Sequence, residues 1–103
     1  MVKLYNDGKR MTAALIGDID HHAARGMRAE LDEVIALSQP ELLIIDLEEV
    51  GFMDSSGIGL ILGRLKAVQA CGGSVIIKNA RPSIAAVIRL SGLSDILVEG
   101  VKT

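Results

Sequence analysis

The sequence predicts a single α/β domain with a mixed β-sheet, an N-terminal β-hairpin and crossover helices. Two short strand-like runs lie on either side of an Asp-Gly pair near the N-terminus, and that pair is a strong signal for a hairpin turn. After them, mostly apolar runs alternate with segments whose apolar residues recur at helical spacing. The resulting order, ββαβαβαβ, is typical of a sheet in which right-handed crossovers connect parallel strands.

The composition limits both the core and the kinds of partner. Of the 103 residues, 50% are hydrophobic but only 2% are aromatic, so we expect one domain, residues 1–103, with an aliphatic core. A net charge of −2 without a Lys/Arg run disfavours binding to nucleic acids. The sequence shows no signal-peptide pattern and no apolar run of membrane-spanning length. We therefore expect a cytoplasmic protein that binds neither nucleic acid nor membrane.

The first part of the chain predicts two strands and a helix. Val2 to Asp7 and Met11 to Ile16 are the strands, joined by the turn Asp7-Gly8-Lys9-Arg10. The helix runs from His21 to Leu37, and Asp20 is well placed as its N-cap. Its predicted buried face carries Ala24, Met27, Leu31, Val34 and Ile35.

The middle of the chain predicts a central strand followed by a second helix. Leu42 to Leu47 is almost wholly apolar, as expected for a strand covered on both faces. The helix runs from about Asp54 to Ala70, and Gly72-Gly73 ends it. Leu60 and Arg64 are predicted to lie outside its buried stripe, at an interface. The predicted stripe comprises Ile58, Ile61, Leu62, Leu65 and Val68.

The last part predicts a strand, a helix and a weak final strand. Ser74 to Ile77 is the strand, and Arg81-Pro82-Ser83 begins the helix because proline suits a first helical turn. The helix continues to Gly92, and the final strand is Ile96 to Val98.

Motifs for cofactors, metals and catalysis fail on inspection. Gly57-Ile58-Gly59 lacks the third glycine of a dinucleotide fingerprint and lies inside a helix, and no Walker loop occurs. His21 and His22 point about 100° apart on a helix, so they do not converge on one metal ion. Ser55 and Ser56 lack the glycine of a nucleophile elbow, and a domain of this size has little room for an oxyanion hole. We expect no cofactor, no metal and no enzymatic activity, with a hydrolase as a minor alternative.

The segment Asp54-Ser55-Ser56 has two possible roles. Asp and Ser are preferred helix N-caps, so the segment is explained as a cap on residue type alone. The glycines that follow, Gly57, Gly59 and Gly63, each weaken a helix by up to about 1 kcal/mol relative to Ala, which requires a compensating reason. Gly59 and Gly63 share a helical face that would allow another chain to approach closely. This pattern indicates an interface beside an accessible serine.

These residues resemble a known family. The run from Phe52 to Arg64, FMDSSGIGLILGR, is similar to the signature of STAS-domain anti-sigma-factor antagonists, above all the sporulation members of the forespore sigma pathway. Gly17-Asp18-Ile19-Asp20-His21-His22 is similar to a second motif of that family, and Ser91-Gly92-Leu93 to a third. The resemblance runs across nearly the whole chain in the right order.

The resemblance implies a phosphorylation switch. In this family the serine matched by Ser55 is phosphorylated by the anti-sigma factor, which is an ATP-dependent serine kinase. The unphosphorylated antagonist binds that kinase and releases the sigma factor, and a PP2C-type phosphatase restores it. Asp20 matches the family aspartate of a loop that contacts the kinase. The expected partner-binding residues are Asp20, His21, Met53, Asp54, Ser56, Gly57, Gly59, Leu60 and Arg64.

The sequence is compatible with two alternative functions, and it differs from the family at its C-terminus. The chain is also compatible with a STAS module of another partner-switching circuit, such as a general stress response, or with a small-ligand or nucleotide-binding STAS domain. Sporulation members usually continue past the last strand into a C-terminal helix, whereas this sequence stops at Thr103. The helix is therefore expected to be missing or truncated.

Overall fold

A mixed sheet of four strands forms within residues 1–98, the part of the chain that this computed structural model describes. The strands lie side by side in chain order, and they are β1 (Val2–Asp7), β2 (Arg10–Ile16), β3 (Leu42–Glu49) and β4 (Ser74–Lys78). β1 and β2 are antiparallel, whereas β2, β3 and β4 are parallel to one another. The predicted N-terminal hairpin and mixed sheet are confirmed.

The helices of the described residues follow the predicted order. They are α1 (His21–Ser38), α2 (Ser55–Ala70) and α3 (Pro82–Leu90). α1 connects β2 to β3 and α2 connects β3 to β4, so both are crossovers between parallel strands. Pro82 occupies the first turn of α3, where its missing N–H costs no helical hydrogen bond. Within residues 1–98, no helix combines the length and apolarity needed to span a bilayer.

The core lies on one face of the sheet, and it is built from aliphatic side chains. Alternate residues of the strands reach it because successive side chains of a strand point to opposite faces. The opposite face of β3 is less fully covered than its sequence predicts, since Ile44 is buried there but Asp46 is half-buried and Glu48 exposed. Core residues with 2% exposure or less include Ala13, Leu15, Met27, Leu31, Leu43, Ile45, Leu47, Ile61, Val68, Val75, Ile77 and Ile88.

α2 buries a different face from the predicted one. Its buried residues are Gly57, Leu60, Ile61, Arg64 and Val68. The prediction that Leu60 and Arg64 lie outside the buried stripe is wrong, and Leu62, which was predicted inside it, is 37% exposed. The physical reason is that apolar residues surround most of α2, so the helical period fits more than one face. Packing against α1, where Arg64 pairs with Asp32, selects the face that is buried.

The predicted final strand, Ile96 to Val98, is replaced by a turn and a short pairing. Ser94–Ile96 forms a 3-10 helix, and the N–H of Leu97 donates to the carbonyl of Ser94 at 3.1 Å. Leu97 then makes an isolated parallel bridge with Ile77 of β4. The chain thus pairs with β4 as expected. A longer strand does not form, because residues 94–96 adopt the 3-10 helix instead of extended backbone. Residues 99–103 of the predicted domain lie outside the described residues.

Candidate functional site

Ser55 is the first residue of α2 and is exposed. The preceding residue, Asp54, has extended backbone geometry, and its Oδ1 accepts a hydrogen bond from the N–H of Ser56 at 2.8 Å. Asp54 is therefore the N-cap of α2, as the sequence predicts for this segment. The cap orders the turn that presents the Ser55 side chain to solvent. A hydroxyl at this place lies where unpaired N–H groups and the helix dipole favour negative charge.

Asp20 has the same role at α1. Its Oδ1 accepts a hydrogen bond from the N–H of Ala23 at 2.8 Å, which confirms the predicted N-cap. This bond is the main cause of an Asp20 pKa below the ordinary value, with a further contribution from the nearby charge of His22. Asp20, His21 and His22 are exposed. The carboxylate of Asp20 is thus ionised and accessible at neutral pH.

Hydrogen bonds hold the starts of α1 and α2 together. The N–H of Ile19 donates to the carbonyl of Phe52 at 2.8 Å, and the N–H of Asp54 donates to the carbonyl of Ile19 at 3.2 Å. Ile19 and Met53 form a parallel bridge in the same place. Asp20 and Asp54 each follow this bridge by one residue. The two helix starts therefore meet beyond the carboxyl ends of β2 and β3. This brings together the predicted site residues Asp20, His21, Asp54, Ser55 and Ser56.

Met53, Gly57, Leu60 and Arg64 do not belong to the exposed surface. Met53 is 6% exposed, Leu60 3% and Arg64 8%, and Gly57 is also buried. A Cβ atom at Gly57 would collide with Cγ of Met53 and would lie 3.3 Å from Cγ2 of Ile19. Their side chains pack inside the domain, so contact between these four residues and a partner stays a prediction. Their packing inside the domain supports the exposed residues of the site.

Arg64 is buried between the two helices. Its Nε lies 2.9 Å from Oδ1 of Asp32 on α1, an ion pair whose second member is 48% exposed. Nη1 of Arg64 is buried and has no hydrogen-bond partner within residues 1–98. Burial lowers the Arg64 pKa, the charge of Asp32 opposes this effect, and the charge of Arg28 adds to it. Asp32 was not among the predicted site residues, since nothing in the spacing along one helix identifies a partner on another.

A groove between α1 and α2 opens beside the serine segment. Its volume is about 170 Å³. Gly59 has open space where a side chain would lie, so the α2 wall is low at that point. The predicted site residues His21, Ser56, Gly59 and Leu60 meet here, together with three α1 residues that were not predicted as site residues. The lining residues are His21, Ala24, Arg25, Arg28, Ser56, Gly59 and Leu60.

Two apolar side chains, one before the serine segment and one two helical turns after it, are exposed as well. Phe52 is 51% exposed and Leu62 is 37% exposed. Ser55, Gly59 and Leu62 share one face of α2, because residues at these intervals lie on the same side of a helix. Periodicity assigned Leu62 to the core, so it could not identify this surface. An exposed hydroxyl beside apolar side chains is suited to a protein interface.

The other predicted functional segments have structural roles. Gly17 adopts a positive φ of 99° between β2 and α1, and Gly92 adopts a φ of 83° after α3. Such backbone geometry favours glycine. The hydroxyl of Ser91 donates to the carbonyl of Val87 at 2.8 Å, and Leu93 joins the core. Within residues 1–98, no three His, Cys, Asp or Glu side chains are arranged to hold a metal ion.

Comparison with known proteins connects this site to a family. The STAS domain model matches residues 4–103. An anti-sigma F factor antagonist from Lysinibacillus sphaericus is 36% identical over 88 residues, which cover 85% of this chain and 75% of that protein. An anti-sigma-B factor antagonist from Bacillus subtilis is 34% identical over 83 residues, which cover 81% of this chain and 74% of the relative.

Solved structures agree with the sequence relatives. The structure of the anti-sigma factor antagonist SpoIIAA in its unphosphorylated form superposes with a TM-score of 0.87 at 31% identity, covering 99% of this chain and 90% of that one. The phosphorylated form of SpoIIAA superposes with a TM-score of 0.79, also at 31% identity, covering 99% and 93%. The chain belongs to the STAS domain family, and the relatives that it matches include anti-sigma factor antagonists.

Proposed function

We propose that this protein is an anti-sigma factor antagonist whose binding to an anti-sigma factor is switched off by phosphorylation of Ser55. The observation that carries the proposal is the exposed position of Ser55 as the first residue of α2, on a helix face that it shares with exposed Leu62. The similarity to SpoIIAA, a protein with solved unphosphorylated and phosphorylated forms, supports it. The anti-sigma factor is proposed to be the ATP-dependent serine kinase that phosphorylates Ser55.

The unphosphorylated protein binds through the exposed residues at the starts of α1 and α2. Asp20 caps α1 and His21 begins it, while Ser55, the half-buried Ser56 and Gly59 lie on α2. Phe52 and Leu62 add apolar area. Contact with this surface displaces the sigma factor from the anti-sigma factor. Asp54 contributes by holding the α2 cap rather than through a free carboxylate, because its Oδ1 is bonded to the N–H of Ser56.

A phosphate on Ser55 would oppose this contact. It adds about −1.5 to −2 charges at pH 7. The N-terminus of α2 offsets part of the cost, about 0.3–1 kcal/mol, whereas the Asp54 carboxylate repels the new charge. In the free protein the phosphate is hydrated, but a docked partner would remove that water beside Phe52 and Leu62. A loss of about 3 kcal/mol would weaken binding on the order of a hundredfold.

The protein is in this proposal a kinase substrate and a binding partner, not an enzyme, and it needs no cofactor or metal of its own. A PP2C-type phosphatase removes the phosphate from Ser55 and returns the protein to its binding form. The cycle takes place in the cytoplasm, where sigma factors meet RNA polymerase.

The test is intact-mass spectrometry after incubation with the serine-kinase anti-sigma factor from the same genome and ATP. Wild-type protein should gain the mass of one phosphate, Ser55→Ala should gain none, and the matched control Ser56→Ala should behave like wild type. Fragment spectra should place the phosphate on Ser55. Unmodified wild-type protein, with a kinase active on a generic substrate, would contradict the proposal.

The circuit can be the sporulation pathway or a general stress pathway. Relatives named for sigma F and for sigma B are both about one-third identical to this chain. We favour the sigma F circuit because the serine segment resembles sporulation members over its whole length. Measuring the affinity for anti-sigma factors of both types under one set of conditions separates the two, since an antagonist should prefer its own partner.

A further inference from the structure

The groove between α1 and α2 is positively charged and has no assigned role. Its α1 side carries His21, Arg25 and Arg28, and its α2 side carries Ser56 and Gly59. None of the residues that line it is acidic. Arg25 and Arg28 are exposed, and neither makes an ion pair within the described part of the chain. The protein as a whole has a net charge of −2, so this groove is a local contrast to the rest of its surface.

None of the nearby acidic residues forms an ion pair with Arg25 or Arg28 within residues 1–98. Asp32, further along α1, pairs with the buried Arg64 at 2.9 Å. Asp20 and Asp54, at the starts of the helices, accept hydrogen bonds as N-caps. The charge of Arg28 is felt by Arg64, whose pKa it helps to lower. The two exposed arginines therefore have no carboxylate paired with them within residues 1–98, and an anionic partner would supply one.

The groove lies directly beside the surface of the proposed function. Gly59 lines the groove and shares a face of α2 with Ser55, one helical turn earlier. A Cβ atom added at Gly59 would meet nothing within 4 Å, so a partner side chain has access between Ser55 and the α1 arginines. A protein that contacts both Ser55 and Gly59 would therefore also reach the groove.

We propose that this groove receives an acidic segment of the anti-sigma factor, with Arg25 and Arg28 as the groups that bind its carboxylates. The inference rests on the proposed function, because it names the chemistry of the partner at that same surface. Arginine binds carboxylates through paired, charge-assisted hydrogen bonds. Charges at the rim of an interface mainly raise the rate of association and make it salt-dependent.

The first experiment measures binding of the anti-sigma factor to the wild-type protein and to Arg25→Glu/Arg28→Glu by surface plasmon resonance. At low salt the double variant should bind roughly tenfold more weakly, mainly through slower association, and its affinity should depend less on salt. The matched control is Lys9→Glu/Arg10→Glu, which reverses two exposed charges in the β1–β2 hairpin. The control should change the affinity by less than about twofold. Equal effects of the two double variants would overturn the proposal.

A second probe does not depend on the kinase. A hexaglutamate peptide titrated into isotopically labelled protein should shift the amide resonances of Ser56 and Gly59 first, and the groove variant should abolish these shifts. Absent or evenly distributed shifts would count against an acidic occupant.

A milder variant, Arg25→Gln/Arg28→Gln, removes the charges without reversing them and should weaken kinase binding by about threefold. Thermal unfolding of each variant verifies that the fold is kept.

Different results would contradict the acidic occupant of the groove and the proposed function. Wild-type protein that neither binds the kinase nor gains phosphate contradicts the proposed function. Wild-type protein that does both, while the groove variant matches it, overturns only the groove. A groove variant that alters the phosphorus-31 titration of phosphorylated Ser55, yet binds like wild type when unphosphorylated, would assign the arginines to the chain's own phosphate and would also overturn the proposal.

Discussion

Gly57 and Gly59 are two residues apart in α2, yet their surroundings differ. A Cβ atom at Gly57 would collide with Met53, whereas one at Gly59 would meet nothing within 4 Å. The glycine at position 57 is therefore required by close packing of the turn beneath Ser55. The glycine at position 59 costs helix stability without an intramolecular reason, and it keeps the α2 wall of the groove low.

We predict opposite effects for alanine at these two positions. Gly57→Ala should lower the free energy of unfolding by about 1–3 kcal/mol, because overpacking outweighs the better helix propensity of alanine. Gly59→Ala should raise it by up to about 1 kcal/mol. Urea denaturation of the two variants and the wild type measures both changes. Changes in unfolding free energy of the same sign in both variants would show that helix propensity, rather than the contact with Met53, decides the stability at position 57.

Asp20 provides a prediction about pH. Its pKa is lowered in the folded protein, chiefly by the hydrogen bond from the N–H of Ala23. A carboxyl group with a depressed folded pKa stabilises the fold above its unfolded pKa, near 3.9, and this stabilisation is lost as pH falls through the folded value. Asp20→Asn keeps a cap acceptor but does not titrate. The difference in melting temperature between wild type and this variant should therefore shrink below about pH 4.

The control for this prediction is Asp7→Asn, which alters a carboxylate in the β1–β2 hairpin. Melting temperatures of wild type, Asp20→Asn and Asp7→Asn are measured from pH 7 to pH 2. A wild-type advantage over Asp20→Asn that persists unchanged to the lowest pH would contradict the assignment of the cap hydrogen bond as the stabilising contact.

At the scale of elements, the α1–α2 contact contains one charged pair in an otherwise aliphatic core. Arg64 is 8% exposed, and its Nη1 has no hydrogen-bond partner within residues 1–98. The ion pair with Asp32 offsets part of the cost of burying the guanidinium. Since Asp32 is half exposed, water screens the attraction, so the pair positions the helices more than it stabilises them.

We predict that Asp32→Asn lowers the free energy of unfolding by about 1–2 kcal/mol, because it leaves a buried charge without its partner. Arg64→Met should cost less than this, since it replaces the buried charge with an apolar chain of similar length. Denaturation of both single variants and the double variant gives the coupling between the residues. If the double variant loses at least as much unfolding free energy as the two single variants lose in sum, the result would contradict a direct interaction between Asp32 and Arg64.

The same helix pair shows where prediction from sequence reached its limit. Asp20 and the segment Asp54-Ser55-Ser56 were recognised as caps, because capping depends on residues adjacent in the chain. The buried face of α2 was misassigned, because its apolar residues surround the helix and a periodic pattern needs a polar side to be unambiguous. Arg64 was placed at an interface because its partner, Asp32, lies on another element and no local signal links the two.

At the scale of the whole molecule, phosphorylation should change binding far more than folding. Phosphate on Ser55 would be added at an exposed position, away from the buried core. Asp and Ala at position 55 mimic the two states without a kinase. The free energy of folding should be nearly the same in both variants, since surface substitutions away from packed contacts are usually within about 0.5 kcal/mol.

We predict that Ser55→Asp loses affinity for the anti-sigma factor by one to two orders of magnitude, on the order of 1.4–2.8 kcal/mol. Ser55→Ala should bind like wild type and resist phosphorylation. Isothermal titration calorimetry measures the affinities, and differential scanning calorimetry should find melting temperatures within a few degrees of wild type. If both variants bind with wild-type affinity, Ser55 is not the switch.

The order of elements through α3, the hairpin, the helix caps and the serine segment could all be predicted from the sequence. Each depends on residues close together in the chain, where backbone geometry and local hydrogen bonding act directly. Only the tertiary structure decided which face of α2 is buried, that Leu62 is exposed, and that a 3-10 turn precedes a single pairing at Leu97. These features depend on which elements meet across the sheet, and packing between distant segments leaves no unique pattern in the sequence of either one.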